Sequence, residues 1–115
     1  NIHIDDITDL YLFFIDNKTL SGIYNAGFEN LKIIEIAEMI SQKTGAEIII
    51  KSSEDPRSYR VNSEKLLSVG FKPKKSVAMA ISEITEAVKN KKLTDEKRHY
   101  NLHWMRDEVL KGSDK

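Results

Sequence analysis

The chain has 115 residues, 40% apolar and 31% charged, a balance that suits one folded domain or part of one rather than a disordered segment. Its 18 basic and 18 acidic residues cancel, so it lacks the basic excess of a protein that grips a phosphate backbone broadly. There is no cysteine, which excludes disulfides and thiolate metal sites and fits a cytoplasmic setting, and no apolar run is long enough to cross a bilayer.

The opening "NIHIDD" has no initiator methionine and runs straight into a β-like stretch, so the chain reads as the middle of something longer. Ile2 to Ile4 is expected as a short strand. Asp6 is placed to cap a helix over about Asp6 to Asp16, with Ile7, Leu10, Tyr11 and Phe14 at helical spacing and Asp9 near the positive helix end. "NKTLSG" is a turn, and "GIYNAG" is a short strand bracketed by Gly22 and Gly27. Asn30 is expected to cap the next helix, whose apolar face carries Ile33, Ile36, Ala37 and Ile40, and Gly45 stands where a left-handed C-terminal residue is wanted.

"AEIIIKS" follows as a third strand with a buried run at Ile48 to Ile50. Strand, helix and strand joined by short turns predict a right-handed βαβ crossover, with Ile23–Asn25 parallel to Glu47–Lys51. After the Asp55–Val61 segment, a helix of about two turns covers Ser63 to Val69 and is closed by Gly70. Pro73 and Ser76 open another helix, with Val77, Ala80, Ile81, Ile84 and Val88 as its stripe. "KNKKLTDEKRHY" is a charged link, and a short amphipathic helix is expected over about Leu102 to Leu110.

Arg57 is the first side chain to weigh, and its chemistry alone favours a salt bridge to a neighbouring acid over a ligand contact. Pro56 fixes its own φ and biases Asp55 away from helical geometry, so the backbone entering Arg57 is partly preset. A guanidinium so supported can offer a planar fork to a phosphate or carboxylate; a salt bridge to Asp55 or Glu54 would use the same fork. Arg60, three residues on in an extended segment, faces the other side and is expected to be solvated.

His3, Asp5 and Asp6 do not complete a metal pattern, and their expected roles are strand packing for His3 and capping for Asp6. His99 and His103 are four apart, without a carboxylate set to finish a zinc site. Tyr24 packs and Asn25 ties down its turn, although strand ends of this kind also receive ligands. The lysines at 72, 74 and 75 and at 89, 91 and 92 read as solvated faces, which leaves nucleic-acid binding a weak third reading. The aromatic segment "HYNLHWMRDEVL" is suited to docking on its own domain or on a partner. The five glycines are scattered, and no tyrosine is followed four residues later by lysine, so the chain has neither a dinucleotide loop nor a proton-transfer pair of its own.

The order of "IHIDDITDLYLFFI", "GIYNAGFENLKIIEIAEMI" and "DPRSYRVNSEKLLSVGFKPKKSVAMAISEI" resembles the C-terminal part of an extended short-chain dehydrogenase/reductase. Within that superfamily it is similar to the NAD-dependent epimerase/dehydratase group that acts on nucleotide sugars. The family's "His-Val-x-Asp" is matched by His3 to Asp6, and its "Tyr-Asn-x-Gly" by Tyr24 to Gly27. Its "Asp-x-Arg-x-Tyr-x-Val…Lys…Leu-Gly-Phe-x-Pro" is matched by Asp55, Arg57, Tyr59, Val61, Lys65, Gly70, Phe71 and Pro73, with Val69 in place of the leucine. The likeness runs from Asn1 to about Lys91.

The resemblance implies an α/β fold: a small C-terminal substrate-binding lobe over residues 1–91, with a short parallel βαβ unit and several packed helices. This lobe would normally complete an NAD-binding Rossmann domain that is absent here. Residues 92–115 would be a charged link and an amphipathic helix. The resemblance makes Arg57 a substrate-binding residue that reaches the pyrophosphate of a nucleotide sugar. It places the NAD loop and the catalytic Tyr/Lys pair upstream of Asn1, so the chain by itself is expected to be inactive, with no catalytic, cofactor-binding or metal residue. The parent enzyme would work by transient hydride removal from the sugar, and its expected partners are the nucleotide sugar, the Rossmann part and a second parent subunit, without nucleic acid or membrane. The alternative is a non-enzymatic interaction module that uses the Trp104 helix.

Overall fold

The first helix, α1, covers Ile4–Asp16, and its N-cap is His3 rather than Asp6: the His3 Nδ1 accepts the N–H of Asp5 at 3.1 Å. The expected strand at Ile2 to Ile4 is absent. Asp6, displaced from the capping role, sits inside the first turn and is 1% exposed. At the other end Asn17 closes α1, its backbone and side-chain N–H groups both donating to the carbonyl of Phe13 at 3.0 and 2.8 Å.

The computed structural model describes residues 1–52 and 60–106, the side chain of His103 apart. After α1 come α2 (Ile33–Thr44), α3 (Glu64–Ser68) and α4 (Val77–Lys89), then a 3₁₀ turn at Lys97–His99 and α5 (Asn101–Trp104). The chain divides into two compact units, Asn1–Thr85 and Glu86–Lys115.

Among the described residues there is no strand, and the predicted parallel βαβ unit is therefore not present. The helix of that unit forms, but Ile23–Asn25 and Glu47–Lys51 do not pair with each other or with any other described segment. A strand exists only where a neighbour satisfies its backbone. These two runs have the β-branched composition without the neighbour, and all of their isoleucines but the half-buried Ile48 stay in solvent: Ile23 is 86%, Ile49 74% and Ile50 82% exposed.

Two glycine-terminated helices match expectation. Gly45 takes φ +76° after α2, and Gly70 takes φ +101° just beyond α3. The start of α2 differs. Its N-cap is Lys32, whose N–H is taken by the carboxylate of Glu35, while Asn30 is engaged elsewhere. On α2 the half-buried side is Ile36, Ala37 and Met39, with Ile33 and Ile40 exposed. On α4 it is Val77, Ala80 and Ile81, with Ile84 and Val88 exposed.

The core of the first unit is small and aromatic. Leu66 of α3 is fully buried, and Phe71, just past Gly70, is nearly so. Phe71 meets Phe13 edge to face, with ring centroids 5.5 Å apart, and stacks with Phe28 at 5.7 Å. The neighbouring Phe14 carries the cluster on to Tyr24 at 5.1 Å. Each such pair adds about 0.5–1.5 kcal/mol beyond its burial, so this chain of rings is a principal tie between α1, the 24–28 segment and the turn after α3.

In the second unit Asp95 accepts the hydroxyl of Tyr100 at 2.8 Å, which pushes the Tyr100 pKa up, and Arg98 pairs with Glu96 at 2.8 Å. Leu102 and Met105 face solvent. No helix among the described residues is long and apolar enough to cross a membrane.

Leu66→Ala is expected to cost about 2–5 kcal/mol, because truncating a fully buried leucine loses its burial and leaves a cavity. Urea unfolding checks this. Against a total stability of about 5–15 kcal/mol, the midpoint should fall sharply.

Candidate functional site

The first described residues after 53–59 are held by side chains rather than by a ladder. The Asn30 amide makes a reciprocal pair with Val61: Oδ1 accepts the Val61 N–H at 2.9 Å, and Nδ2 donates to the Val61 carbonyl at 3.0 Å. One residue type thus presents to Val61 the donor and acceptor that a neighbouring strand would present. Two residues on, the buried Ser63 hydroxyl does the same for Gly27, accepting its N–H and donating to its carbonyl, both at 3.0 Å.

The approach is close enough to favour glycine, since any side chain would have to push Val61 aside by a few tenths of an ångström. A Cβ on Gly27 would lie 3.3 Å from both Cβ and Cγ1 of Val61. Lys65 completes the tie by donating to the Ile23 carbonyl at 2.8 Å, with its ammonium 4.2 Å from the centre of the Tyr24 ring. The 23–30 and 60–65 segments are therefore one assembly, and α3 is started by Asn62, whose Oδ1 accepts the N–H of Glu64 at 2.8 Å.

Beside this assembly lies an open hollow of about 470 Å³, walled by Phe28, Leu67 and Pro73 on its apolar side and by Arg60, Asn62 and Glu64 on its polar side. Arg60 is exposed, as expected for its position. Arg57, Asp55 and Tyr59 lie outside the described residues, so the proposed ligand contact at Arg57 is not among the groups whose geometry can be stated.

A second assembly joins α1 to the start of α4. The buried carboxylate of Asp6 accepts the backbone N–H of Lys74 at 2.9 Å through Oδ1 and that of Lys75 at 3.1 Å through Oδ2. Above it, His3 Nε2 lies 3.1 Å from the Glu83 carboxylate. Since Nδ1 already accepts from Asp5, Nε2 carries the proton and donates to Glu83. Lys75 bridges Asp5 at 3.1 Å and Glu83 at 2.7 Å, and Lys74 pairs with Asp9 at 2.7 Å.

His3, Asp5 and Glu83 bring donor atoms within 4.8 Å of one another, a metal-like grouping. Its chemistry points elsewhere. Both nitrogens of His3 are committed, one to the helix cap and one to Glu83, and the Lys75 ammonium already pairs with both carboxylates. Two of the lysines expected as solvated charge are thus structural counter-ions. Sequence reasoning missed these roles for His3, Asp6, Asn30 and Lys75. Apart from the local cap of His3 on Asp5, each involves a partner 30 or more residues away or, for Lys75 and Glu83, a contact outside the reach of adjacent helical turns.

No dinucleotide cradle is present among the described residues. The glycines at positive φ, at 22, 45 and 70, stand singly, and two of them follow helices rather than open one.

Comparison with known proteins gives one partial likeness to report. The chain is 28% identical over 74 residues to anthocyanidin reductase from Arabidopsis thaliana, which covers 62% of this chain and 22% of that protein. The chain therefore spans only about a fifth of the length of the curated relative it matches. No protein-family model matches the chain, and no solved structure does.

The Lys75–Glu83 pair gives a pH signature. Its hydrogen bond to Lys75 holds the Glu83 carboxyl below its ordinary 4.5, and its hydrogen bond to Glu83 is the first cause that holds the Lys75 ammonium above its ordinary 10.5. The Glu83 contribution is present above pH 4.5 and is lost as pH falls through the lowered value; the Lys75 contribution is present below pH 10.5 and is lost as pH rises through the raised one. Lys75→Met should therefore lower the melting temperature at neutral pH and flatten its decline at both extremes. Thermal unfolding followed across the pH range checks this.

Proposed function

We propose that the chain is the nucleotide-sugar-binding C-terminal portion of an NAD-dependent epimerase or dehydratase of the short-chain dehydrogenase/reductase superfamily. The observation that carries the reading is the juxtaposition of two of its motif segments. Tyr24 to Gly27 and Val61 to Lys65 are distant in sequence, yet Gly27 is locked to Ser63, Asn30 to Val61, and Lys65 to Ile23. This anchors the chain directly after the Arg57 segment on a rigid support, which is what a residue that orients a diphosphate needs. The partial likeness to a reductase supports the superfamily and is silent on the sugar.

In this reading Arg57 supplies a bidentate contact to the diphosphate and fixes the substrate's position. NAD belongs to a preceding part of the parent polypeptide and, when bound there, supplies the hydride chemistry. The 115-residue chain contributes binding and orientation only.

The test has two arms. The purified chain should show no NAD-dependent turnover with a panel of UDP-, dTDP-, GDP- and CDP-sugars; turnover would overturn the reading. In the native polypeptide, Arg57→Ala should weaken nucleotide-sugar binding about tenfold or more, the scale of one lost charge-assisted contact, and unchanged binding would count against it.

A second reading rests on the solvent-facing Leu102 and Met105 beside Trp104 at α5, which suit a protein partner. It expects Trp104→Ala to abolish an association that Arg57→Ala leaves intact, and a pull-down with both variants separates the two.

A further inference from the structure

The cap of α1 is a histidine, and that choice carries a condition. His3 Nδ1 can accept the Asp5 N–H only while it holds no proton of its own, so the 3.1 Å bond that starts the helix exists for the neutral ring alone. A serine, threonine or asparagine cap imposes no such condition. The His3 side chain is 5% exposed, so its neighbours rather than bulk water decide what a second proton would meet.

Those neighbours are charged. From α1 the Asp5 carboxylate lies 3.8 Å from Nδ1, and from α4 the Glu83 carboxylate lies 3.1 Å from Nε2. Lys75, on the approach to α4, reaches both acids, at 3.1 and 2.7 Å. Asp6 is spent on the amides of Lys74 and Lys75, and the Lys74 ammonium on Asp9. Asp5 and Glu83 therefore share one ammonium between them, which favours a further positive charge on the ring, while the positive end of α1 opposes it.

We propose that His3 is a proton-operated catch on the first turn of α1. When the ring takes a second proton from solvent, Nδ1 turns from acceptor to donor. It releases the Asp5 N–H and gives its new hydrogen to the Asp5 carboxylate, while Nε2–H stays on Glu83. A backbone bond to Asp5 is thus exchanged for an ion pair with the side chain of the same residue. The ring keeps its seat between α1 and α4, and the helix start loses its cap. A proton therefore loosens the entry to α1 without parting it from α4.

The test reads the ring and the helix separately, by nuclear magnetic resonance on the native polypeptide carrying isotope-labelled histidine, from about pH 8 to about pH 5. The His3 ring signals, assigned through their bonds to the backbone, should show a proton on Nε2 alone at the alkaline end and on both nitrogens at the acidic end. Protection of the Asp5 amide from hydrogen exchange, corrected for the intrinsic effect of pH, should fall about fivefold over the same interval, the scale of one lost cap. In His3→Asn, whose side-chain oxygen can cap without titrating, that protection should stay level. A ring that remains neutral throughout, or that carries its proton on Nδ1 at the alkaline end, overturns the proposal. So does Asp5 protection that ignores protonation of the ring, or that falls equally in His3→Asn. The ring and amide readings on the unmodified polypeptide decide the matter even where the variant folds poorly.

Discussion

One buried carboxylate organises the first unit. Asp6 is almost without solvent contact, and its two oxygens are spent on the backbone N–H groups of Lys74 and Lys75. A charge buried that far is tolerated only when its lone pairs are met, and here consecutive amides meet them. The grip fixes where the chain turns into α4, and with it the place of Lys75 between Asp5 and Glu83 and of Glu83 against His3. Replacing that carboxylate would loosen the entry to α4 and leave two amides unmet at once.

The aromatic chain does for the opposite end of α1 what Asp6 does for its start. Phe13 and Phe14 leave the helix on adjacent positions and reach different partners, Phe71 and Tyr24, so the turn after α3 and the 23–30 segment are referred to the same helix. The 23–30 segment is in turn tied to 60–65. Gly27 and Ser63 then set the spacing between those segments, and the amide of Asn30 sets their register. The result is a support built almost without regular sheet, in which side-chain amides and hydroxyls stand in for a neighbouring strand.

Local signals were legible in the amino-acid order and long-range ones were not. Gly45 and Gly70 announce helix ends because only glycine takes their φ cheaply, and periodic isoleucines and alanines announce α2 and α4. The strands at Ile23–Asn25 and Glu47–Lys51 were misread because propensity reports what a segment would do beside a partner, and no described segment supplies one. Asn30 was misread for a related reason: its side chain suits a helix cap, but Val61 offers it a donor and an acceptor together, and two bonds win over one. His3 took the capping role expected of Asp6, and Asp6 is buried instead because its carboxylate meets the amides that arrive at residues 74 and 75, which no local pattern records. The motif at Arg57 was legible as a pattern, and its geometry falls outside the described residues.

The bonds that close this unit join residues 80, 68 and 31 positions apart, at His3–Glu83, Asp6–Lys74 and Asn30–Val61. Such closures delay folding, because the loop entropy is spent before the contact rewards it. They also impose an order during synthesis. When α1 leaves the ribosome, its buried carboxylate has no amides to meet and its capping histidine no acid, so the helix must wait, with its phenylalanines uncovered, until residues 71 to 83 have emerged. Until those residues are made, the nascent α1 keeps its aromatic side chains uncovered, a state open to off-pathway association.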